Sequence, residues 1–172
     1  MSVDPAPAFD ARAVANAILD LAESARQSVY PTSLLKLLYF GHGWHLARFD
    51  RPLIGQPFEA WQYGPVVRVV FDQVRDFSGR PITGRLKAFN AGAGAFEEAR
   101  VDLPPSTRSL LAAVVGAYGP LHPFELSDLT HEADSPWTRA WRAAEEGKRP
   151  GVRIENSEIK EYFLRLNAAD ML

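Results

Sequence analysis

Glu59-Ala60-Trp61-Gln62-Tyr63-Gly64-Pro65-Val66-Val67 sets two large aromatics and a carboxylate directly around a Gly-Pro pair. In an extended segment side chains alternate between faces, so Glu59, Trp61 and Tyr63 are expected on one side. Pro65 suits the first position of a helix, where its missing N–H costs nothing. The stretch therefore reads as an extended approach to a helix running from Pro65 to about Phe77. Val66, Val70, Val74 and Phe77 then point inward, and Arg68 meets Asp72 at i,i+4 on the outer side.

On the N-terminal side, residues 1–9 carry Pro5 and Pro7 and read as a flexible tail. Asp10 can cap a helix in which Val14, Ile18, Leu21 and Ala25 recur at helical spacing. After Tyr30-Pro31, Thr32 or Ser33 opens a second helix through about Ala47. Its Leu34, Leu35, Leu37, Leu38 and Tyr39 cover more than one face, which marks a central buried helix.

On the C-terminal side, a two-stranded hairpin is expected near Leu86–Phe89 and Ala99–Leu103. Pro104-Pro105-Ser106 begins a helix carrying Leu110, Leu111, Val114, Val115 and Tyr118 and ended by Gly119-Pro120. A short helix follows over Pro123–Thr130, and Ser135-Pro136 starts another that ends at Gly147. Pro150 to Glu155 reads as a connection or short strand. Asn156 caps a last helix with Ile159, Phe163 and Leu166 on one face. The fold class is mainly α (α+β), a single compact helical domain over residues 10–172 with a small two-stranded β element.

Hydrophobic residues make up 47% of the 172 and charged residues 23%, which is the balance of a folded chain. A net charge of −2 gives no global attraction to nucleic acid or anionic lipid. Without cysteine, disulfides, thiol catalysis and cysteine-based zinc sites are excluded. Met1 to Phe9 has neither the basic region nor the apolar core of a signal peptide. No apolar run approaches the roughly 18 residues of a membrane span, so a cytoplasmic protein without a membrane partner is expected.

Catalytic and cofactor signatures are weak. Asn90-Ala91-Gly92-Ala93-Gly94-Ala95-Phe96 contains G-x-G but lacks the third glycine and the following helix, so it reads as a turn. There is no glycine-lysine phosphate loop and no G-x-S-x-G elbow. His42 and His45 stand at i,i+3, yet Gly41 and Gly43 weaken a helix there and spacing fixes no third ligand. Thr130-His131-Glu132-Ala133-Asp134 can be read as a base with orienting carboxylates, the basis of a small-hydrolase alternative. Neighbours in sequence do not make a triad, and Thr130, His131 and Asp134 equally suit caps of adjoining helices. No metal, no cofactor and no enzymatic activity are expected. The first two helices and the hairpin could imitate a winged helix, the basis of a DNA-binding transcriptional-regulator alternative. Against it, the second helix offers a single cation, Lys36, and Arg68 and Arg75 are balanced by Asp72 and Asp76.

"EAWQYGPVV", read with "LLKLLYFGHGWHLA" before it and "LSDLTHEADSPWTRAW" after it, resembles the Panacea domain of SocA-like antitoxins, a family that takes in phage-associated GepA-like proteins. The resemblance covers roughly Thr32 to Trp141. The resemblance implies a tyrosine where this chain has Phe71, which removes a hydroxyl and keeps the apolar bulk. The resemblance implies an antitoxin that neutralises a cognate protein toxin by direct binding, with a second mode as an adaptor presenting the toxin to the ClpXP protease. The family-like words bring Trp61, Tyr63, His131, Trp137 and Trp141 together, either as a shared aromatic core, the favoured reading for Trp61 and Tyr63, or as the edge of a groove that makes them the expected partner-binding residues. Trp137 and Trp141 stand at i,i+4 on one helical face. The tail Ala168–Leu172 reads equally well as a helix end or a degradation signal.

Overall fold

The computed structural model describes residues 8–146 and 148–166. In chain order the helices are α1 (Ala11–Ser24), α2 (Pro31–Phe49), α3 (Arg68–Val74), α4 (Pro105–Tyr118), α5 (Pro123–Thr130), α6 (Pro136–Ala143) and α7 (Asn156–Arg165). The strands are β1 (Phe58–Trp61), β2 (Gly64–Val66), β3 (Lys87–Asn90), β4 (Ala95–Glu98) and β5 (Val152–Ile154). The architecture is mainly helical with a small two-stranded β element, as read from the sequence, and carries a three-stranded sheet besides.

Helix α2 is the axis. Every residue from Ser33 to Leu46 is buried, because α1, α3, α4, α5, α7 and β2 all pack on it. It runs through Gly41 and Gly43 to Phe49, despite the intrinsic cost of glycine in a helix. Close packing explains both glycines. A Cβ on Gly41 would lie 2.8 Å from Leu111 Cδ2, and one on Gly43 would lie 2.2–2.4 Å from three ring atoms of Phe163. The Phe163 ring cannot retreat, since Tyr39, Phe40, Trp44 and Tyr162 hold it edge-on from four directions. Gly43→Ala should therefore lose about 2 kcal/mol in a urea melt. Overpacking costs 1–3 kcal/mol or more, against about 1 kcal/mol gained in helix propensity. Combining it with Phe163→Leu should cost less than the two single losses together; strict additivity would show that no clash occurs.

The segment around Pro65 is where sequence and structure part. Gly64–Val66 is a strand, not a helix start: β1 and β2 form an antiparallel hairpin pairing Glu59 with Val66 and Trp61 with Gly64. Gln62 and Tyr63 make the turn, so Tyr63 leaves the face shared by Glu59 and Trp61. Proline is tolerated because β2 is an edge strand of the sheet β2-β1-β5. The helix begins only at Arg68, with Val67 as its N-cap. Val66, Val70 and Val74 are buried as expected, while Phe77 is half-buried. Arg68 turns away from Asp72 and pairs with Glu59 at 2.8 Å instead.

Other boundaries shift less. The hairpin exists as β3 and β4, but its second strand is Ala95–Glu98 rather than Ala99–Leu103. Buried Asn16 on α1 fixes its base, donating to Leu86 O and Ala99 O and accepting from Leu86 N, each at 2.8 Å. Helix α6 ends at Ala143, with Ala144 as C-cap. The predicted stop Gly147, the tail residues 1–7 and Ala168–Leu172 lie outside the described residues. Phe9 is tied to the fold by a parallel bridge to Ile54. Among the described residues no helix is long and apolar enough to cross a membrane.

Candidate functional site

The two-residue turn of the β1–β2 hairpin faces the α5–α6 corner, and Gly64 makes that approach possible. Its φ of +115° is one that side chains resist, and an added Cβ would sit 2.6 Å from Lys36 Cε and 2.8 Å from Thr130 Oγ1. The corner is built by short-range polar contacts. Helix α5 opens on a capping box in which His122 Nδ1 accepts from Phe124 N and Glu125 Oε2 accepts from His122 N. At its end Thr130 Oγ1 donates to Ser127 O at 2.7 Å. Ser135 Oγ donates to Thr130 O at 2.6 Å and accepts from Thr138 N, so Ser135 caps α6 at the Ser135-Pro136 start read from the sequence, and Asp134 does not cap it.

This corner brings four of the five expected residues into one cluster. His131 stacks on Trp137 with ring centres 3.8 Å apart, and Trp137 lies parallel to Trp141 at 5.4 Å. Trp137 Nε1 donates to Trp61 O at 2.8 Å, which ties α6 to β1. Trp61 packs edge-on against Phe71, donates its own N–H to Glu59 and carries the Arg68 guanidinium over its ring at 5.2 Å. With phenylalanine at position 71, that contact is made by the ring alone. Trp137 is buried, whereas Trp61, His131 and Trp141 are half-buried.

Tyr63 stands apart from the stack and is 68% exposed. It meets His131 across a groove of about 730 Å³, whose remaining walls include Tyr30, His122, Phe124 and Asp128. Phe124 is 73% exposed, with His122 stacked beside it at 5.3 Å. Sequence reasoning missed Phe124 because a helix start reveals capping and not exposure.

Lys36 lies beneath the groove and is the other residue missed. It is fully buried, and its Nζ donates to Pro65 O at 3.3 Å. Burial without a counter-ion pulls its pKa down to about 7. A lysine flanked on both sides by leucines, in a helix apolar on every face, was the available signal. His131 is also shifted down, first by desolvation and then by the charge of Lys36, with Asp128 opposing. Its Nε2 is buried and bonded to nothing, so no base–nucleophile contact is built there.

The other histidines are committed to the scaffold. His42 Nε2 donates to Asn156 Oδ1 and its Nδ1 accepts from Ile54 N. His45 Nδ1 donates to Arg51 O and its Nε2 accepts from the Thr107 hydroxyl. All four ring nitrogens are thus engaged with groups other than metal ligands, and no cluster of three ligating side chains occurs among the described residues. Lys36, the one cation of α2 before Arg48, is sealed inside, so this helix presents no basic face to a DNA groove.

Comparison with known proteins agrees with this architecture of family-like segments. Antitoxin SocA of Caulobacter vibrioides (strain NA1000 / CB15N) is 30% identical over 166 residues, covering 95% of this chain and 86% of that protein. No solved structure matches. The family model described as "Antitoxin SocA-like, Panacea domain" matches residues 34–138, from the buried axis of α2 to the Trp137 stack, and the chain belongs to that family.

Proposed function

We propose that this protein is the antitoxin of a toxin–antitoxin pair and neutralises a cognate protein toxin by direct binding. The observation that carries this reading is the similarity to Antitoxin SocA along nearly the whole chain. The toxin docks at the corner between the β1–β2 turn and α5–α6, with Tyr63, His131 and the edges of Trp61 and Trp141 as contacts and Trp137 as their support. Exposed aromatics at a concave surface suit that role, because large rigid side chains supply most of the energy at protein interfaces.

Expression of a toxic gene adjacent to this one should arrest growth. Co-expression of this protein should restore it, with the two products co-purifying. Failure of both rescue and co-purification with every neighbouring gene would overturn the reading. Toxin abundance separates two modes: constant toxin during recovery identifies blocking, whereas ClpXP-dependent loss identifies delivery to the protease.

A further inference from the structure

The groove beside Tyr63 has a chemistry more specific than an aromatic surface. Tyr63 and Phe124, 68% and 73% exposed, line it together with Tyr30 and His122, which stacks on Phe124. The carboxylate in its lining is that of exposed Asp128, beside the hydroxyls of Thr32, Ser78 and Ser127. It forms no salt bridge among the described residues. From His122 to Ser135 the chain carries Glu125, Asp128, Glu132 and Asp134 and no lysine or arginine.

The cations nearby are already committed. Arg80, beyond the Ser78-Gly79 rim, turns back to donate to Asp76 O and Phe77 O. Lys36 is sealed below Gly64 and bonded to Pro65 O. A groove lined by aromatic rings and an unpaired carboxylate is complementary to a cation with a flat or aliphatic body. A cation over an aromatic face is attracted by the ring quadrupole, and a guanidinium can also pair with a carboxylate through two parallel bonds.

We propose that this groove is the socket for an arginine side chain projecting from the partner protein. The inference rests on the toxin-binding reading for the identity of the partner, but the socket itself can be tested without a toxin. Charge comes from Asp128, the stacking walls from Tyr63 and Phe124, and His131 forms the floor on the side of the Trp137 stack.

The probe is N-acetyl-arginine amide, titrated into the folded protein and followed by amide chemical shifts. A fragment of this size that finds a real anchor site binds with a Kd of about 1 mM. Saturable shifts should localise to Tyr63, Phe124, Asp128 and His131, and the uncharged citrulline analogue should bind at least roughly tenfold more weakly. Asp128→Asn should remove that discrimination, and Tyr63→Ala should weaken both probes. Shifts that do not saturate, equal binding of the two probes, or unchanged discrimination in Asp128→Asn would overturn the socket.

A growth-rescue assay with Asp128→Arg separates the two proposals. If wild type rescues and the folded variant does not, the socket holds the toxin. If both rescue equally, the socket proposal falls and the antitoxin reading stands. If wild type fails to rescue while the arginine probe still binds, the antitoxin reading falls alone.

Discussion

Raising the pH from 7 to 10 should stabilise this protein, by about 3–4 kcal/mol in the free energy of unfolding. The cause is Lys36. Its ordinary pKa of 10.5 holds in the unfolded chain, whereas burial in α2 lowers it to about 7 in the fold. Between these values the unfolded state binds a proton that the folded state has released, so falling pH favours unfolding. Histidine extends the same trend downward. His42, bonded to Asn156 and Ile54, is depressed from 6.5 to about 4, chiefly by desolvation, so its contribution is present above 6.5 and lost as the pH falls toward 4. The upper limit is set by Tyr39 and Tyr162, both shifted up mainly by desolvation. They oppose unfolding below pH 10 and cease to do so as unfolded tyrosines ionise above it.

Stability should therefore peak near pH 9–10, above the range of about 5–8 usual for globular proteins. Urea melts at pH 7, 8, 9 and 10 measure the slope. Lys36→Met should flatten it and should be more stable than wild type at pH 7. A flat wild-type profile over that range, or a slope retained in Lys36→Met, would show that the amine is not held neutral in the interior.

The second large effect separates the two roles within the aromatic corner. Trp137→Ala should cost about 3–5 kcal/mol, because it empties a buried site and leaves Trp61 O without its donor. Tyr63→Ala removes a side chain that is 68% exposed and should change stability by less than about 0.5 kcal/mol. Toxin affinity should respond in the opposite order once folding is controlled. Tyr63→Ala should weaken binding at least roughly thirtyfold, the cost of one aromatic anchor. Trp137→Ala should bind poorly only to the extent that it is unfolded. If Tyr63→Ala binds normally, the toxin uses another surface; if Trp137→Ala melts like wild type, the corner is not held together by the stack.

Much of the fold was legible because burial writes itself in periodicity. The leucine run of α2 has no polar face to turn outward, and α1, α4 and α7 alternate faces at helical spacing. The pairing of the three-stranded sheet was not legible, although β1 fell in the stretch read as extended and β5 in the one read as a connection or short strand. Strands β1, β2 and β5 span three or four residues each, and the partner of β1 lies about a hundred positions away at Val152–Ile154, too far for local pattern to reveal. Pro65 misled for a related reason. Gly-Pro suits a helix start and an edge strand alike, and only the pairing of Glu59 with Val66 decides between them. Trp61, His131, Trp137 and Trp141 were found together through the family-like words, since convergence of distant side chains is a property of the tertiary fold. Phe124 and Lys36 escaped because exposure and burial are decided by what else packs nearby.

The pairing of β1 with β5, followed directly by α7, also sets an order of events during synthesis. Phe58 waits for Ile154, and the cavity beside Gly43 waits for Phe163. At ribosomal rates of about 5–20 residues per second, Ile154 emerges roughly 5–20 s after Phe58, and Phe163 follows it. Until then α2 lacks the helix that covers its Gly43 flank, and a nascent chain offers chaperones and proteases an apolar surface that the finished protein hides.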